Sequence, residues 1–358
     1  MFKRNKSAKG LVGLDIGSSS VKAVELQGKP GSLTLANLGH EALQSDTVVD
    51  GQIMELNDVS NVIASLFQTR QFKTNRVAAG VSGGSVIVKN IIVPPMSKEE
   101  LEESIDWHAE EHIPFDIADV NLDYQVVGSS QDSLHVLMAA CKRDFVANIK
   151  QAIQLAGKQP AIIDVDAFAL QNCYEVNYEP QPQETVSLLN IGAATMNINI
   201  LQGTKSVFTR DISLGGNQFT AMLQKELGLT FEEAEAVKRG GQLPEREQPE
   251  ERPAADLAAF VENVSDLLAL EVQKTFDFYR ATSEDGQGAV QKIFISGGCS
   301  KLLGFVECLA QRFNMPVERF DPFRRIKVDA RRFDADFIRG VMPEMAVAVG
   351  LALRGVDA

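Results

Sequence analysis

Residues 14–22 read LDIGSSSVK, and residues 189–197 read LNIGAATMN. In each stretch a run of alternating apolar residues reaches a glycine, three small residues follow, and a second alternating run leaves. This pattern predicts two copies of one strand-turn-strand motif. Small residues in such a turn let successive backbone N–H groups approach an anion, because no bulky side chain intervenes. Two such turns facing each other would grip a polyphosphate from both sides.

The bulk composition bounds the class of protein. The chain has 358 residues, a net charge of −13 and 44% hydrophobic residues, which predicts two folded domains of ordinary size. The acidic balance argues against nucleic acid as a partner, since phosphate-binding surfaces need clustered lysine and arginine. We find no apolar run of about 18 residues and no secretion signal. The four cysteines form no C-x-x-C pair, which favours reduced thiols in a cytoplasmic protein.

The first half of the chain alternates strands and helices around a segment of different character. Periodicity predicts strands over 11–26, 33–39, 76–81 and 162–165, and a helix over 57–71. Between them lies a predicted α+β unit with strands over 86–93, 122–127 and 134–140 and helices over 97–112 and 143–156. Ser97 and Glu100 form a capping box that starts the acidic helix over 97–112. Leu101, Ile105 and Trp107 are expected to pack this helix against the unit.

The second half opens with the hairpin at Asn190. Helices are predicted over 217–227, 230–239, 256–280, 301–312 and 344–353, with a loop over 242–253 and a buried strand over 293–296. Leu267 and Phe278 are among the residues expected to turn the helix over 256–280 toward a core. The strand over 293–296 breaks at Gly297 and Gly298.

Three of these motifs resemble the ATPase superfamily of actin, Hsp70 and the sugar kinases. Asp15-x-Gly17-Ser18 with Lys22, Asn190-x-Gly192, and Ser296-Gly297-Gly298 are similar to its first phosphate, second phosphate and adenosine elements, in the same order. The helices at 166–169 and 346–350 stand where that superfamily has its two connecting helices. The resemblance implies an α/β, duplicated actin/Hsp70-type fold with two lobes around a nucleotide cleft and an inserted FtsA-like subdomain.

The resemblance also implies a division of the chain. We expect residues 1–80 and 161–178 to form the first lobe and residues 81–160 the inserted subdomain. Residues 185–340 would form the second lobe, and residues 341–358 a connecting helix that returns to the first.

Two further stretches narrow the resemblance. SLGGN at 213–217, followed by Glu235 and Lys238, resembles the FtsA-like branch, and IIVPPMSKEELEESIDWHAEEHIPF at 91–115 resembles the PilM family. The PilM resemblance implies a cytoplasmic protein of the type IV pilus assembly platform, involved in twitching motility. It implies that the N-terminal cytoplasmic peptide of PilN binds within about 80–160. Further expected partners are other platform proteins and assembly ATPases, with membrane contact only through partners and with possible self-association.

The same resemblance assigns roles in a site for ATP or ADP with Mg²⁺. Asp15 is expected to hold Mg²⁺ through water, since this ion needs only one or two carboxylates beside the phosphates. Lys22 would add positive charge, Glu235 and Lys238 would meet the ribose, and Gly297 and Gly298 would form a shelf for the adenine. The remaining residues expected to line the nucleotide are Gly17, Ser18, Ser19 and Ser20 at the first turn and Asn190, Gly192, Ala193, Thr195, Gly215 and Gly216 at the second.

Two departures from the superfamily pattern bear on catalysis. Asn190 stands where an aspartate is usual, and an amide is neither an anionic ligand nor a base. Asp166 is the candidate catalytic acid on the first connecting helix, but it is one methylene shorter than the glutamate often found there. We therefore expect ATP binding that stabilises a competent conformation, with slow hydrolysis or none, so at most a weak ATPase.

Two alternatives remain open from the sequence. The first is an FtsA-like, filament-forming ATPase of cell division or the cytoskeleton, for which we expect a C-terminal amphipathic membrane helix that residues 354–358 do not supply. The second is a sugar-kinase-type enzyme, for which Asp166 is the one candidate catalytic aspartate.

Overall fold

The computed structural model describes residues 10–240, 257–282, 289–302 and 304–356, apart from the side chains of 257–261. The loop expected over 242–253 lies outside these residues. Three sheets and a short hairpin, Val48–Val49 with Gln52–Ile53, make up the β structure. The helices with their bounds are Leu56–Arg70, Lys98–Glu110, Arg143–Leu155, Asp166–Asn177, Asn217–Leu227, Phe231–Lys238, Leu257–Thr282, Phe305–Phe313, Ala335–Val341 and Ala346–Ala352.

The two large sheets repeat one arrangement. The first has six strands in the spatial order Gln159–Val165, Arg76–Val81, Val12–Ile16, Ser20–Lys29, Ser32–Ala42 and Ile326–Lys327. The second has five, in the order Lys205–Ile212, Met196–Gln202, Thr185–Ile191, Lys292–Ser296 and Val317–Arg319. In each sheet, the strand before the glycine turn pairs antiparallel with the strand after it and parallel with a later strand. The duplicated fold expected from the two motifs is confirmed.

The central strand of the second sheet is buried along almost its whole length. Within Thr185–Ile191 all residues are buried except the partly exposed Asn190, as expected for a strand covered on both faces.

The strand Ile326–Lys327 does not follow the expected division of the chain. It lies in the range assigned to the second lobe, yet it pairs parallel with Ser32–Ala42 of the first sheet.

The two connecting helices, Asp166–Asn177 and Ala346–Ala352, pack in direct backbone contact. All seven residues of Ala346–Ala352 are buried. A Cβ atom on Gly350 would overlap the carbonyl oxygen of Ala169, so only glycine fits at this crossing. The small residues of the terminal helix thus set the distance between the two helices.

A three-stranded sheet is inserted in the chain between two strands of the first large sheet, Arg76–Val81 and Gln159–Val165. Its spatial order is Val86–Val93, Leu134–Lys142 and Val120–Ser129, all antiparallel. Lys98–Glu110 packs on one face through Leu101, Ile105 and Ala109. We call these three strands and this helix the three-stranded unit.

The capping box of the unit's helix is confirmed. The side chain of Ser97 accepts from the N–H of Glu100, and the Glu100 carboxylate accepts from the N–H of Ser97. The expectation for Trp107 is wrong, because this side chain is 61% exposed. Two residues beyond Ile105, it is rotated by about 200° around the helix and faces away from the sheet.

Other elements differ in detail from expectation. Leu267 and Phe278 on the long helix Leu257–Thr282 are exposed rather than in the core. The helix expected over 301–312 begins at Phe305, after a 3-10 turn at Gly298–Lys301. Among the described residues, none of the helices combines the length and apolar character needed to cross a bilayer.

Candidate functional site

A cleft of about 1430 Å³ lies between the two large sheets, and both glycine turns line it. The sequence-predicted residues that line it are Asp15, Gly17, Ser18, Ser19, Ser20, Lys22, Asp166, Asn190, Gly192, Ala193, Thr195, Gly216, Glu235, Lys238, Gly297 and Gly298. Gly215 is not among the lining residues. The tertiary structure thus brings nearly the whole predicted set to one cavity, from sequence positions as distant as 15 and 298.

The first turn is built by the hairpin Val12–Ile16 with Ser20–Lys29. The N–H of Gly17 donates to the carbonyl oxygen of Ser20 at 3.0 Å, so this amide is used inside the turn. Its expected role as a phosphate donor is therefore not supported by this structure. Within the described part of the chain, the N–H groups of Ser18 and Ser19 have no acceptor, and the buried hydroxyl of Ser20 has no partner.

Lys22 and Asp15 form an ion pair beside this turn. The hairpin register places them opposite each other, with Lys22 Nζ 3.1 Å from Asp15 Oδ2. Burial disfavours the ammonium ion, but the carboxylates of Asp15, Glu344 and Asp166 outweigh this effect and raise the pKa of Lys22. The side chain therefore remains a cation at the floor of the cleft.

The second turn has the same internal bond. The N–H of Gly192 donates to the carbonyl oxygen of Thr195 at 2.9 Å. The start of Asn217–Leu227 supports the outer face of this turn. The N–H of Gly216 donates to the carbonyl oxygen of Gly192, and the N–H of Asn217 donates to the carbonyl oxygen of Ala193. A Cβ atom on Gly215 would lie 2.6 Å from the carbonyl oxygen of Gly192. Gly215 thus permits close packing behind the turn.

Asn190 is held by a chain of polar side chains. Ser296 Oγ donates to Asn190 Oδ1 at 3.2 Å, and Asn190 Nδ2 donates to Asn197 Oδ1 at 3.1 Å. Asn197 Nδ2 then donates to Asp211 Oδ1 at 2.8 Å. Both the oxygen and the nitrogen of the Asn190 side-chain amide are used, which explains the asparagine at this position. The sequence reasoning missed Asn197 and Asp211, although Asn197 faces Asn190 in the predicted hairpin.

Asp166 lies at the start of the first connecting helix. A Cβ atom on Gly80 would overlap its Oδ1, so a larger residue at this position would displace the Asp166 carboxylate. Burial, with the carboxylates of Asp15 and Asp211, raises the pKa of Asp166 to about 8 against an opposing hydrogen bond from Ser82. The environment of Asp166 therefore favours its protonated form.

The opposite wall carries Glu235 and Lys238 on Phe231–Lys238. They form a close ion pair, and Lys238 Nζ also donates to Thr220 Oγ1 at 2.8 Å. Gly297, with φ of 86°, packs on the backbone of Ile191, where any Cβ atom would overlap the main chain. Backbone alone therefore forms this surface of the cleft.

A second charged cluster, which the sequence did not reveal, lines the same cavity. His40 Nε2 lies 3.2 Å from Glu344 Oε2, and Lys301 forms an ion pair with Glu344 Oε1. Burial raises the pKa of Glu344, but the His40 hydrogen bond and the charges of Lys301 and Lys22 prevail and lower it to about 2. Residue 344 links strand Ser32–Ala42 to the turn after Gly298.

This cluster predicts acid sensitivity. Because the folded pKa of Glu344 is about 2 against an ordinary 4.5, its ionisation stabilises the fold above pH 4.5, and this stability is lost as the pH falls toward 2. At neutral pH the contribution is about 3 kcal/mol. In urea denaturation we expect Glu344→Gln to have a lower free energy of unfolding than wild type at pH 7. The difference should shrink as the pH falls below 4.5 and nearly vanish at pH 2. Glu307→Gln, at an exposed residue, is the control; equal pH profiles for wild type and Glu344→Gln would contradict the prediction.

The donor set of the cleft fits a nucleoside triphosphate. The unused amides of Ser18 and Ser19, the unpaired Ser20 hydroxyl and the cation of Lys22 suit phosphate oxygens. Lys22 contacts Oδ2 of Asp15, and Oδ1 has no partner among the described residues. That oxygen is available to a water of a hydrated magnesium ion.

Comparison with known proteins agrees with the fold. Residues 13–356 match the family described as "Type IV pilus assembly protein PilM". A solved "PilM-PilN type IV pilus biogenesis complex" is 29% identical, with a TM-score of 0.85 and coverage of 97% of this chain and 99% of that one.

More distant proteins share the architecture. Cell division protein FtsA of Escherichia coli (strain K12) is 24% identical over 86% of this chain and 83% of its own length. MreB 5 of Spiroplasma citri, solved bound to AMPPNP, is 14% identical, with a TM-score of 0.53 and coverage of 96% of this chain and 94% of that one. The actin-like fold is common to them. With a family match over nearly its full length, the chain belongs to the PilM family of type IV pilus assembly proteins.

Proposed function

We propose that this chain is an ATP-binding adaptor of the type IV pilus assembly platform, located in the cytoplasm and held at the inner membrane through partner proteins. The observation that carries the proposal is the convergence of both glycine turns on one cleft whose donors fit a triphosphate. AMPPNP in the Spiroplasma citri protein of the same fold supports an adenine nucleotide as the ligand.

The site residues would bind the nucleotide in a defined orientation. Ser18 and Ser19 N–H groups, with Lys22, hold phosphate oxygens at the first turn, and the turn at Gly192 and Ala193 covers the other side. Asp15 orients the waters of Mg²⁺, and this ion, when bound, neutralises phosphate charge. Glu235 and Lys238 meet the ribose beside the glycine surface.

Slow hydrolysis or none follows from the side chains around the phosphates. Asn190 offers no base, and burial favours the protonated form of Asp166, which cannot accept a proton from water. We expect single-turnover cleavage of ATP well below the roughly 1 per second at which ordinary enzymes begin. Rapid-quench measurement with purified protein checks this, and a rate at or above that level would contradict it.

We propose that the partner is the N-terminal cytoplasmic peptide of PilN, bound within residues 81–160. The support is the PilM–PilN complex among the similar structures, and exposed apolar side chains on the three-stranded unit: Ile92 is 54% exposed and Trp107 is 61% exposed. Such side chains suit a peptide-binding surface.

Three measurements test the proposal. Calorimetry with Mg-AMPPNP is expected to give one site per chain, and fluorescence polarisation is expected to give saturable binding of the labelled peptide but not of its scrambled version. When the peptide is bound, backbone amide hydrogen exchange of the protein is expected to slow within residues 81–160. Protection confined to the second sheet would place the peptide elsewhere and contradict the proposal.

A further inference from the structure

Strand Lys205–Ile212, at the edge of the second sheet, contacts the chain segment of the three-stranded unit at both of its ends. Near its start, Asn90 Nδ2 donates to the carbonyl oxygen of Val207 at 3.1 Å. Near its end, Asp211 Oδ2 accepts from the N–H of Gly83 at 2.6 Å. The strand therefore bridges the second sheet to the unit proposed to bind the partner.

Asp211 also terminates the polar chain that begins in the cleft. Its two oxygens have different partners: Oδ1 accepts from Asn197, and Oδ2 accepts from Gly83. Because Asn197 Nδ2 must point at this carboxylate, Asn197 Oδ1 is left to accept from Asn190. The charge of Asp211 thus sets the direction of every bond back to the second turn.

Gly83 passes this constraint to the unit. Its φ is 88°, and a Cβ atom there would lie 3.1 Å from the carbonyl oxygen of Asp50. Val86 N–H donates to the carbonyl oxygen of Gly83 at 3.0 Å, and Lys142 N–H donates to Ser85 at 3.1 Å. A shift at Gly83 is therefore expected to move the start of Val86–Val93 and, through Ser85, the end of Leu134–Lys142.

We propose that Asp211 is a positioning residue that couples the occupancy of the second turn to the conformation of the three-stranded unit. The inference rests on the proposed function, because it takes a nucleoside triphosphate as the occupant of the cleft. Phosphate oxygens at the Gly192–Ala193 turn reorient Asn190. Asn197 and Asp211 carry the change to Gly83, about which the unit adjusts. By linkage, a ligand bound to the unit changes the affinity for nucleotide by the same factor as the nucleotide changes the affinity for that ligand.

Hydrogen exchange with and without Mg-AMPPNP tests the coupling. In the wild type we expect exchange over residues 83–93 to slow by about fivefold or more on binding. The Asp211→Asn variant has a single acceptor oxygen, so it keeps only one of the two hydrogen bonds that Asp211 accepts from Asn197 and Gly83. We expect this variant to keep measurable Mg-AMPPNP binding, since Asp211 does not line the cleft, and to lose the response over 83–93 at saturating nucleotide. Asp336→Asn, at an exposed residue paired with Arg339, is the matched control and should respond as the wild type does.

The outcomes separate the two proposals. A wild type that does not bind Mg-AMPPNP in calorimetry overturns the proposed function and with it the coupling. A wild type that binds without a change over 83–93, or an Asp211→Asn variant that responds fully, overturns the coupling alone.

A second variant guards against a folding defect in Asp211→Asn. Asn90→Ala removes an exposed side chain at the other end of the strand, and we expect normal affinity with a reduced response over 86–93. If Asp211→Asn does not fold and Asn90→Ala responds as the wild type does, the coupling is wrong.

Discussion

Replacing Lys22 with methionine is expected to weaken Mg-AMPPNP binding by about 100-fold, or roughly 3 kcal/mol. The side chain is the buried cation of the first turn, 3.1 Å from Asp15. Its loss removes an attraction to the phosphates and leaves the Asp15 carboxylate uncompensated next to them, so the two effects add. Isothermal titration calorimetry at constant ionic strength measures the change.

The same strand supplies the control for this experiment. Lys29, at the far end of Ser20–Lys29, is exposed, and Lys29→Met should leave the affinity unchanged. Lys22→Arg keeps the charge with different geometry and should fall between wild type and Lys22→Met. Thermal melts establish that each variant is folded. Affinity of Lys22→Met within threefold of wild type would show that Lys22 does not meet the phosphates.

The second large effect concerns the crossing of the two connecting helices. Gly350→Ala is expected to lower the free energy of unfolding by about 3 kcal/mol or more, because the new methyl group would overlap the carbonyl oxygen of Ala169. Relief requires the two helices to separate, and every residue of Ala346–Ala352 is buried between its neighbours. Urea denaturation followed by circular dichroism measures the loss.

Gly340 provides a matched comparison for that substitution. It also lies in a helix, Ala335–Val341, but no atom stands within 4 Å of a Cβ built there. Gly340→Ala should therefore be neutral or stabilise the protein by about 0.5–1 kcal/mol through helix propensity. Similar losses of unfolding free energy for the two variants would mean that the helix crossing does not restrict side-chain size at residue 350.

Local sequence signals predicted most of the elements and much of the cleft lining. The turns at Gly17 and Gly192 were recognisable because strand alternation and small residues are properties of adjacent positions. The capping box at Ser97 was recognisable for the same reason. Trp107 was misplaced because aromatic character indicates burial only on average, and the three apolar positions 101, 105 and 109 already form the packed stripe. Leu267 and Phe278 show the same limit of apolar patterning.

Residues whose roles come from distant partners could not be found in this way. His40 and Glu344 are 304 positions apart, and Gly83 and Asp211 are 128 positions apart, yet each pair is in hydrogen-bond contact. Nothing in the neighbourhood of Asp211 marks it as the end of a polar chain from the second turn. Asn190 was recognised as unusual, but the reason for it, two side-chain hydrogen bonds to Ser296 and Asn197, is visible only in the packed sheet.

The amino-acid sequence by itself determined the repeated strand-turn-strand motif, the glycines that the turns require and the family to which the chain belongs. These features depend on backbone conformation and side-chain size within a few residues. Only the tertiary structure decided that the two turns line one cleft and that the Gly17 N–H donates within its own turn. It alone also decided that Glu344 and Asp211 connect elements of separate sheets. Such contacts depend on how the sheets and connecting helices pack. Packing brings together charged residues that are far apart in the sequence, so no local sequence pattern relates them.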